Sequence, residues 1–429
     1  MTTLGITNGS VLQPDLSISK SDVLVDQSSG EIIDVDPEIG MSGEQQLDAT
    51  DSLIIPGLIN AHTHVAMTLL RGYADDKPLE TWLREDIWPA EAELTPEDAR
   101  AGARLGMAEM IRSGTTGFAD MYFHVPAIGD AVESAGLRAR LGHGIVTAGK
   151  TDAEIESEVE EGLRIARELG SERVSTAVMP HSLTTVTEDV LTSVAERARE
   201  MAVPVHSHVS ETTAEVTPIR EERGVRPVEY ARSCGLLQSE DFIAHAVHVD
   251  SAEIARLADT GTGVVHCPAS NMKLASGMAP VQAMLDAGVT VGLGTDGVAS
   301  NNDLDMFDEM RDAAMIGKLA ADDASALAAP DVVRMATQGS ADCVGFESGR
   351  IESGAPADLA VLSLDAPHLT PAHDLVSHLA YAATGSDVRH TVCDGQILMR
   401  ERELLTIDEA RVREEVTERA EDLVSRAEA

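Results

Sequence analysis

Basic residues are scarce in this chain: 32 Lys and Arg stand against 73 Asp and Glu, so the 429 residues carry a formal net charge of −41. Only five of the basic residues are lysines, and aromatic residues make up only 3%. A field this negative repels phosphate backbones and anionic membranes, so we expect neither nucleic acid nor a lipid surface as a partner. Excess acid with few lysines and aromatics is typical of a salt-saturated, halophilic cytosol, where a Debye length of roughly 3 Å weakens self-repulsion.

Cysteine and long apolar segments are scarce as well. The four cysteines stand far apart without a C-x-x-C pair, which excludes a disulfide framework and a zinc ribbon. No run approaches the roughly 18 apolar residues of a membrane span, and the first residues lack the charged and apolar regions of a signal peptide. We therefore expect a cytoplasmic protein, and the hydrophobic fraction of 43% is high enough for folded cores.

Apolar runs of strand length recur along most of the chain. Near the N-terminus they alternate with turn residues, as at 23–25 and 31–35, which predicts short antiparallel strands. From about residue 52 eight apolar runs alternate with helical segments, at 53–61, 116–122, 140–146, 174–179, 203–206, 242–246, 263–267 and 289–294. The predicted helices include 152–169, 188–201, 252–259 and 281–287, and Gly170, Gly261 and Gly288 follow three of them as candidate caps. Eight such units predict an α/β fold, a (β/α)₈ TIM-type barrel.

The two flanks of this region again contain strand patterns, which return after residue 347 at 349–352, 358–362 and 388–395. Each flank is too small for a core of its own. We therefore expect residues 1–55 and 347–405 to form one composite β-sandwich beside a metal-dependent barrel at 56–346. Residues 406–429 are predicted as a C-terminal helix, because Val412, Val416, Ala420 and Val424 recur at a four-residue spacing.

Residues that can bind a metal ion follow five of the predicted strands. Active sites of such barrels lie at the C-terminal ends of the strands, so side chains at these positions are expected to meet. In chain order they are His62 and His64, His181, His206 and His208 with Glu211, His245 and His248, and Asp296. The competing interpretation is a set of hydrogen-bonded core histidines, but agreement among five strand ends favours a metal site.

His62 and His64 lie two residues apart on one strand, so both side chains can point inward and bind one cation. With His208 and Asp296 they provide three imidazoles and a carboxylate, a set that suits zinc or ferrous iron. A bound metal ion lowers the pKa of water from ~15.7 towards ~7. Asp296 can accept the proton of that water while it binds the ion.

Two further residues are candidates for acid–base chemistry. Glu211 follows His208 by three residues and is placed to carry a proton to a substrate nitrogen. His245 is expected beside the attacking water. His248 lies nearby, and we expect it to have a structural role.

Three segments carry a resemblance to a known family. Residues 56–64 (PGLINAHTH), 68–72 (TLLRG) and 293–302 (LGTDGVASNN) resemble signatures of the amidohydrolase superfamily. Within it, the chain is similar to the methylthioadenosine/S-adenosylhomocysteine (5′-deoxyadenosine) deaminase group over essentially its whole length. The resemblance implies one divalent metal ion per subunit, zinc in preference to iron. The ion would be held by His62, His64, His208 and Asp296, with Glu211 and His245 catalytic. Binuclear relatives use a carboxylated lysine after strand four, and none of the five lysines here lies near that position.

The same resemblance implies substrate contacts. Glu91 would bind ribose hydroxyls, His181 and Glu211 would contact the substrate, and Trp82 would pack near the 5′ substituent. Family members that take S-adenosylhomocysteine have an arginine after strand three, where this sequence has His143. A neutral imidazole binds a carboxylate less well than a guanidinium does. We therefore expect compact 5′ groups to be preferred over the homocysteine tail.

The predicted activity is metal-dependent hydrolytic deamination of adenine nucleosides: 5′-methylthioadenosine, 5′-deoxyadenosine or adenosine, with S-adenosylhomocysteine less favoured. The products would be the inosine analogue and ammonia. One alternative is an amidohydrolase acting on a free heteroaromatic ring, such as guanine or a chloro-s-triazine. A second is a barrel that has lost catalysis and keeps the metal ion for structure. The zinc deaminases marked by P-C-x-x-C are excluded, because this motif does not occur. Homo-oligomerisation, as a dimer or tetramer, stays open at this stage.

Overall fold

A computed structural model describes residues 2–37, 39 and 43–429. Seven short strands precede residue 57: β1 (Thr3–Thr7), β2 (Ser10–Leu12), β3 (Ile18–Lys20), β4 (Asp22–Asp26), β5 (Glu31–Asp36), β6 (Gln45–Asp48) and β7 (Ser52–Pro56). The predicted strands at 23–25 and 31–35 lie in β4 and β5, which pair antiparallel. Strands β5, β4, β1 and β6 form a four-stranded sheet in that order.

The central region contains ten strands, and every ladder between them is parallel. They are β8 (Leu58–His64), β9 (Thr115–Tyr122), β10 (Arg138–Ile145), β11 (Val174–Thr176), β12 (Met179–Pro180), β13 (His206–Val209), β14 (Phe242–His245), β15 (Gly263–His266), β16 (Val291–Leu293) and β17 (Asp296–Gly297). One sheet has the order β11-β10-β9-β8-β17, with β12 also paired to β10, and a second has the order β13-β14-β15-β16. All eight predicted apolar runs overlap these strands, so the α/β interpretation with parallel strands is confirmed.

Contacts between the two parallel sheets occur on both sides. Isolated parallel bridges join Val178 to Val205 and Ser182 to His208, next to β12 and β13. On the other side, a Cβ added to Gly294 would lie only 2.7 Å from the backbone nitrogen and oxygen of His62. The chain after β16 therefore packs directly on β8, and only glycine allows this approach.

The predicted run at 53–61 is in fact two strands that belong to different sheets. β7 pairs with a C-terminal strand, whereas β8 begins the parallel region. Gly57 lies between them, and its amide bonds to Asp358 O while the next amide bonds to Gly114 O. A Cβ at Gly57 would come within 2.1 Å of Thr116 Oγ1, so the crossing needs glycine. A continuous apolar pattern does not reveal such a change of partner.

The C-terminal flank adds β18 (Leu359–Ser363), β19 (Val388–Cys393), β20 (Gln396–Arg400) and β21 (Glu403–Leu404). They join N-terminal strands in a mixed seven-stranded sheet of order β21-β20-β19-β18-β7-β2-β3. Residues of both flanks share one buried cluster, which includes Leu4, Val25, Ile54, Leu359 and Val392. The predicted strand at 349–352 does not form: these residues have no ladder, although Ile351 is buried in the same cluster.

Seventeen α-helices lie among the described residues. They are α1 (Leu79–Trp82), α2 (Trp88–Ala92), α3 (Pro96–Arg112), α4 (Val125–Ala135), α5 (Asp152–Glu168), α6 (Glu188–Met201), α7 (Thr213–Arg223), α8 (Pro227–Ser233), α9 (Ser251–Thr260), α10 (Pro268–Lys273), α11 (Val281–Asp286), α12 (Val298–Asn301), α13 (Met306–Ala321), α14 (Ala329–Arg334), α15 (Ser340–Val344), α16 (Leu375–Tyr381) and α17 (Glu409–Ala427). Short 3₁₀ turns occur at Val65–Leu70, Pro367–Leu369 and Gly385–Asp387, and π turns at Leu83–Ile87 and Met335–Gly339. The four predicted helices match α5, α6, α9 and α11. Gly261 and Gly288 have the expected positive φ, but α5 ends at Glu168 with Leu169 as its C-cap, and Gly170 is not left-handed. No helix in the described ranges is long and apolar enough to cross a membrane.

The predicted C-terminal helix is α17, and it docks on α3 rather than standing free. Helix α3 starts with a capping box, in which Thr95 Oγ1 accepts from the Asp98 amide and Asp98 Oδ2 accepts from the Thr95 amide. The same buried Asp98 carboxylate pairs with Arg419 at 3.0 Å and with Arg426 at 2.7 Å, both from α17. Val412, Val416 and Leu423 form the buried face of α17, so the apolar stripe ends at 423 rather than at the predicted 424.

Candidate active site

Side chains from four strand ends converge at one end of the parallel region. Ligand atoms of His62, His208, His245 and Asp296 all lie within 4.8 Å of one another, and all four residues are buried. His64 joins them, because its Nε2 lies 3.1 Å from Asp296 Oδ1. The residues come from β8, β13, β14 and β17, so parallel pairing brings together positions more than 200 residues apart in the sequence.

The ring orientations of His64 and His208 are fixed by backbone carbonyls. His64 Nδ1 lies 2.6 Å from Met121 O, and His208 Nδ1 lies 2.6 Å from His181 O. A carbonyl oxygen only accepts, so each Nδ1 carries a proton, and in the neutral, metal-binding form each Nε2 presents a lone pair to the cluster. This is the arrangement that a metal-binding imidazole requires.

Asp296 is held by two hydroxyl groups. Ser270 Oγ and Ser300 Oγ donate to its Oδ2 at 2.6 and 2.8 Å. Its Oδ1 is thereby aimed at His62 and His64, at 3.4 and 3.1 Å. Burial opposes ionisation, but the His62 and His64 imidazoles beside Oδ1 hold the pKa of Asp296 well below its ordinary value. Its φ of +59° is a left-handed conformation that a strand-end aspartate adopts only under constraint.

The donor set therefore fits a cation. The Nε2 atoms of His62 and His208 are 3.1 Å apart, and both face Asp296 Oδ1. Lone pairs this close repel unless a positive charge lies among them. Three imidazoles and one carboxylate are the ligand types that zinc and other borderline divalent metals prefer.

Glu211 and His245 lie next to this cluster. Their closest atoms, Glu211 Oε2 and His245 Nε2, are 3.8 Å apart. His245 Nδ1 lies 3.0 Å from Asn271 Oδ1, and Ser276 Oγ donates to Glu211 Oε1 at 3.2 Å. Burial raises the pKa of Glu211 above its ordinary value, which favours a carboxyl that can deliver a proton.

The backbone around Glu211 and His245 is constrained. Ser210 and His245 have φ values of +57° and +75°, where residues with side chains are uncommon. The buried Glu215 carboxylate accepts from the amides of Ser210 and Glu211, both at 2.9 Å. Strained strand ends held by a buried carboxylate are typical of a site whose geometry matters for function.

These groups open into a cavity of about 630 Å³. Its lining includes Glu91, His181, Trp82 and Tyr122, together with the cluster described above. Both tryptophans of the chain line it: Trp82 is 4% exposed and packs into the core, whereas Trp88 is 37% exposed. A cavity of this size with aromatic walls and few convergent polar groups suits a small planar ligand.

Two polar atoms in the cavity wall are poorly hydrogen-bonded. Glu91 Oε1 and the Tyr122 hydroxyl are buried and interact with each other, and neither makes a hydrogen bond of good geometry among the described residues. Burial raises the pKa of Glu91 to about 7. His181 Nδ1 contacts Thr185 Oγ1 at 2.9 Å, and burial lowers the pKa of His181 to about 4, so its imidazole is neutral. Poorly hydrogen-bonded buried groups of this kind are candidates for contacts with a ligand.

His143 does not belong to this cavity. Its Nε2 lies 3.0 Å from Glu158 Oε1 on α5, and the adjacent Gly144 lines the cavity instead. A role for His143 as a substrate contact does not fit this geometry. Neighbours in a strand face opposite sides, so the His143 side chain faces α5 while Gly144 faces the cavity.

The cavity mouth contains two guanidinium groups that the sequence prediction did not consider. Arg84 and Arg223 line it, and each is paired with a carboxylate, Glu80 and Glu188 respectively. Arg223 also lies over the Tyr230 ring, with its Cζ 4.9 Å from the centroid. Both guanidinium groups already have a carboxylate partner, and carboxylates outnumber arginines in the cavity lining, so the cavity is not basic.

Four further residues contact the predicted site residues and were not assigned a role from the sequence: Ser270, Asn271, Ser276 and Ser300. His206, one of the predicted strand-end residues, contacts His62. Of the four, Ser300 lies within the recognised segment 293–302, and the others lie outside the recognised segments. Which of them face the site depends on turns after the strands, and the sequence does not show this. His248, expected to be structural, contacts Ser276 O through Nε2 at 2.6 Å.

Comparison with known proteins gives consistent matches. The model of the amidohydrolase family matches residues 53–398. A protein of Natronomonas pharaonis named 5-methylthioadenosine/S-adenosylhomocysteine deaminase is 61% identical over 100% of both chains. A 5′-deoxyadenosine deaminase of Methanosarcina mazei is 43% identical over 97% of this chain and 96% of its own. The crystal structure of an adenosine deaminase from Xanthomonas campestris with bound zinc superimposes with a TM-score of 0.93 at 36% identity, covering 99% of each chain.

Proposed function

The chain belongs to the amidohydrolase family, and on this premise we propose that it deaminates adenine nucleosides by hydrolysis. The substrates are 5′-methylthioadenosine, 5′-deoxyadenosine or adenosine, with S-adenosylhomocysteine less favoured. The observation that carries the proposal is one cavity in which the poorly hydrogen-bonded Glu91 Oε1 shares the lining with the His and Asp cluster. A carboxylate of this kind can accept hydrogen bonds from two ribose hydroxyls. The His and Asp cluster is suited to activating the water that attacks the purine ring.

We further propose one divalent metal ion per subunit, zinc in preference to ferrous iron. His62, His64, His208 and Asp296 would hold it, and the lone pairs that face one another in this cluster support that assignment. When bound, such an ion lowers the pKa of water and so supplies the nucleophile at neutral pH. His245 also lies within the cluster, and we assign it to catalysis because its Nε2 faces Glu211.

The chain's own residues would carry the protons of the reaction. Water adds to C6 of the purine, and Glu211 protonates the ring nitrogen N1 as the ring loses its aromatic character. Asp296 accepts a proton from the attacking water and passes it to the departing amine. The C6–N bond then breaks while the proton of the new C6 hydroxyl returns to Glu211, which gives ammonia, the C6 carbonyl of the inosine analogue and the starting state of Glu211. His245 positions the attacking water, while His181 and Trp82 contact the bound nucleoside.

A panel of 5′-modified adenosines tests the substrate class. We expect ammonia release in molar KCl with added zinc, with kcat/KM for methylthioadenosine, deoxyadenosine and adenosine above that for S-adenosylhomocysteine. The reason is that the cavity mouth offers an anionic tail only guanidinium groups that are already paired. A higher kcat/KM for S-adenosylhomocysteine would overturn the preference, and ammonia release from guanine alone would overturn the nucleoside assignment.

Replacing Glu91 by Ala separates a nucleoside deaminase from an enzyme acting on a free ring. Loss of hydrogen bonds to a charged acceptor costs about 1.5–3 kcal/mol, so kcat/KM for adenosine should fall roughly 10- to 100-fold. Turnover of a free base would be unchanged, since it has no ribose. Glu93→Ala is the matched control, because Glu93 lies on the solvent side two residues away.

The raised pKa of Glu91 adds a pH dependence to the same prediction. Protonation removes the carboxylate's charge as the pH falls through about 7, so KM for adenosine should rise below that pH. Glu91→Gln should have a high KM without this pH dependence. A wild-type KM that stays constant between pH 6 and 8 would contradict a ribose contact through the carboxylate.

For the architecture, we propose that the parallel region closes into a (β/α)₈ barrel over residues 56–346. The isolated bridges beside β12 and β13 and the packing of Gly294 on His62 support closure. The flanks, residues 1–55 and 347–405, would form a composite β-sandwich, which their shared buried cluster supports. Residues 406–429 would form the C-terminal helix, and the docking of α17 on α3 supports this. A cytoplasmic location and a high-salt environment are proposed from the charge of −41 and from relatives in halophilic archaea.

A further inference from the structure

One buried imidazole beside the cluster is not used by the proposed reaction. His206 is 1% exposed and lies two residues before His208 on β13. We propose that His206 is a positioning residue, which fixes the proton of His62 on Nδ1 and so keeps His62 Nε2 free to bind the metal ion. The inference rests on the proposed metal site and concerns how this chain prepares one of its ligands.

The hydrogen bonds around His206 form a chain with one direction. His206 Nδ1 lies 3.0 Å from Phe242 O, and its Nε2 lies 2.8 Å from His62 Nδ1. The carbonyl can only accept, so His206 carries its proton on Nδ1 and its Nε2 is an acceptor. His62 Nδ1 must then be the donor, which leaves a lone pair on His62 Nε2.

The His206 ring has little freedom to leave this position. It stacks on Phe242 with ring centroids 4.1 Å apart and an angle of 16° between planes. The two residues are also direct partners in the β13–β14 ladder. A rigid acceptor at a fixed distance selects one tautomer of His62 more strongly than water would.

His62 differs in this respect from the other two histidines. His64 and His208 donate directly to backbone carbonyls, Met121 O and His181 O. For His62 the acceptor is Nε2 of the His206 ring. This nitrogen is free to accept because the hydrogen bond to Phe242 O keeps the His206 proton on Nδ1. The Nε2 atoms of all three histidines thus face the cluster. The orientation of His62 alone depends on a side chain, that of His206, which a substitution can remove.

The competing state of His62 explains what His206 would prevent. If His62 carried its proton on Nε2, that proton could bond to Asp296 Oδ1, which is 3.4 Å away. Such a bond would engage His62 Nε2 and Asp296 Oδ1 with each other, so neither of these two ligand atoms would be free to bind the metal ion. Removing the acceptor at position 206 removes the main bias against this state, so metal binding should weaken without loss of any direct ligand.

The test measures zinc affinity by competition with a chelator, using the full-length protein in molar KCl. His206→Phe keeps a flat ring against Phe242 but removes the acceptor, and we expect roughly 10- to 100-fold weaker zinc binding, as for other partners of metal-binding histidines. The thermal unfolding temperature of the metal-free variant should stay close to that of the metal-free wild type. His390→Phe is the matched control, since His390 is a buried histidine in β19 far from the site, and its zinc affinity should be unchanged.

A second pair of variants keeps the test decisive if His206→Phe does not fold. The amide oxygen of His206→Gln can reach the position of Nε2, whereas that of His206→Asn reaches only that of Nδ1. Glutamine should therefore restore zinc affinity and asparagine should not. Equal affinities for these two variants, or wild-type affinity for His206→Phe, would overturn the inference. A wild-type protein that binds no zinc would instead overturn the proposed metal site itself.

Discussion

Replacing Glu211 by Gln is expected to lower kcat for adenosine deamination by roughly 10²- to 10⁴-fold. The carboxyl lies beside the cluster, with Oε2 3.8 Å from His245 Nε2 and Oε1 bonded to Ser276. An amide of the same shape keeps these contacts but cannot deliver and recover a proton. KM should change little, because the loss falls on proton transfer rather than on ribose binding. Ammonia release at saturating adenosine measures the effect.

Zinc content and a neighbouring carboxylate provide the controls for Glu211→Gln. The variant should keep one zinc ion per chain by atomic absorption, because Glu211 is not among the proposed ligands. Glu221→Gln, on the solvent side of α7, changes the net charge equally and should leave kcat unaltered. A Glu211→Gln enzyme with kcat within threefold of wild type would remove Glu211 from the reaction.

The convergence of the candidate metal-binding residues was predictable because it depends only on strand direction and spacing. His62 and His64 are two residues apart, so one strand presents both on one side. His208 and Asp296 follow other strands at the same end of a parallel region. The period of two also relates His206 to His208, so the sequence places both beside the cluster, although it does not show that His206 contacts His62 Nδ1.

It was harder to predict which side of a strand each residue faces. Around residues 140–146 the sequence alternates glycine with larger residues, and glycine gives no sign of which side is buried. Gly142 and Gly144 face the interior of the site region, where a Cβ at Gly142 would meet Met179 Cγ at 2.4 Å. His143 consequently points outward to α5. A shift of one residue reverses every side chain in a strand, which is why the substrate contact assigned to His143 does not fit.

Contacts that depend on loops were beyond sequence reasoning. Arg84 and Arg223 reach the same cavity mouth from segments far apart in the chain, and the paths of the intervening turns decide this. The hydroxyls of Ser270 and Ser300 reach Asp296 because α10 and α12 start directly after strand ends. Strand periodicity contains no information about either arrangement.

Asp296→Asn should cause the largest loss, because it removes a metal ligand and the proton acceptor together. Ser270 and Ser300 donate to one carboxylate oxygen and would orient the amide oxygen of asparagine in the same way. The amide nitrogen would then face the Nε2 atoms of His62 and His64 and donate to their lone pairs, occupying the place of the ion. Effects of roughly 10²- to 10⁴-fold for proton transfer and 10- to 100-fold for metal affinity should combine to abolish measurable turnover.

The same geometry predicts that the fold survives this substitution. In the metal-free wild type, lone pairs and a carboxylate face one another, whereas the amide of Asp296→Asn provides donors to them. The metal-free variant should therefore unfold at a temperature equal to or above that of the metal-free wild type, while its zinc content falls close to zero. Added zinc should raise the unfolding temperature of the wild type but not of the variant. Full zinc occupancy in Asp296→Asn, with turnover within tenfold of wild type, would refute both the ligand assignment and the proton acceptor at this position.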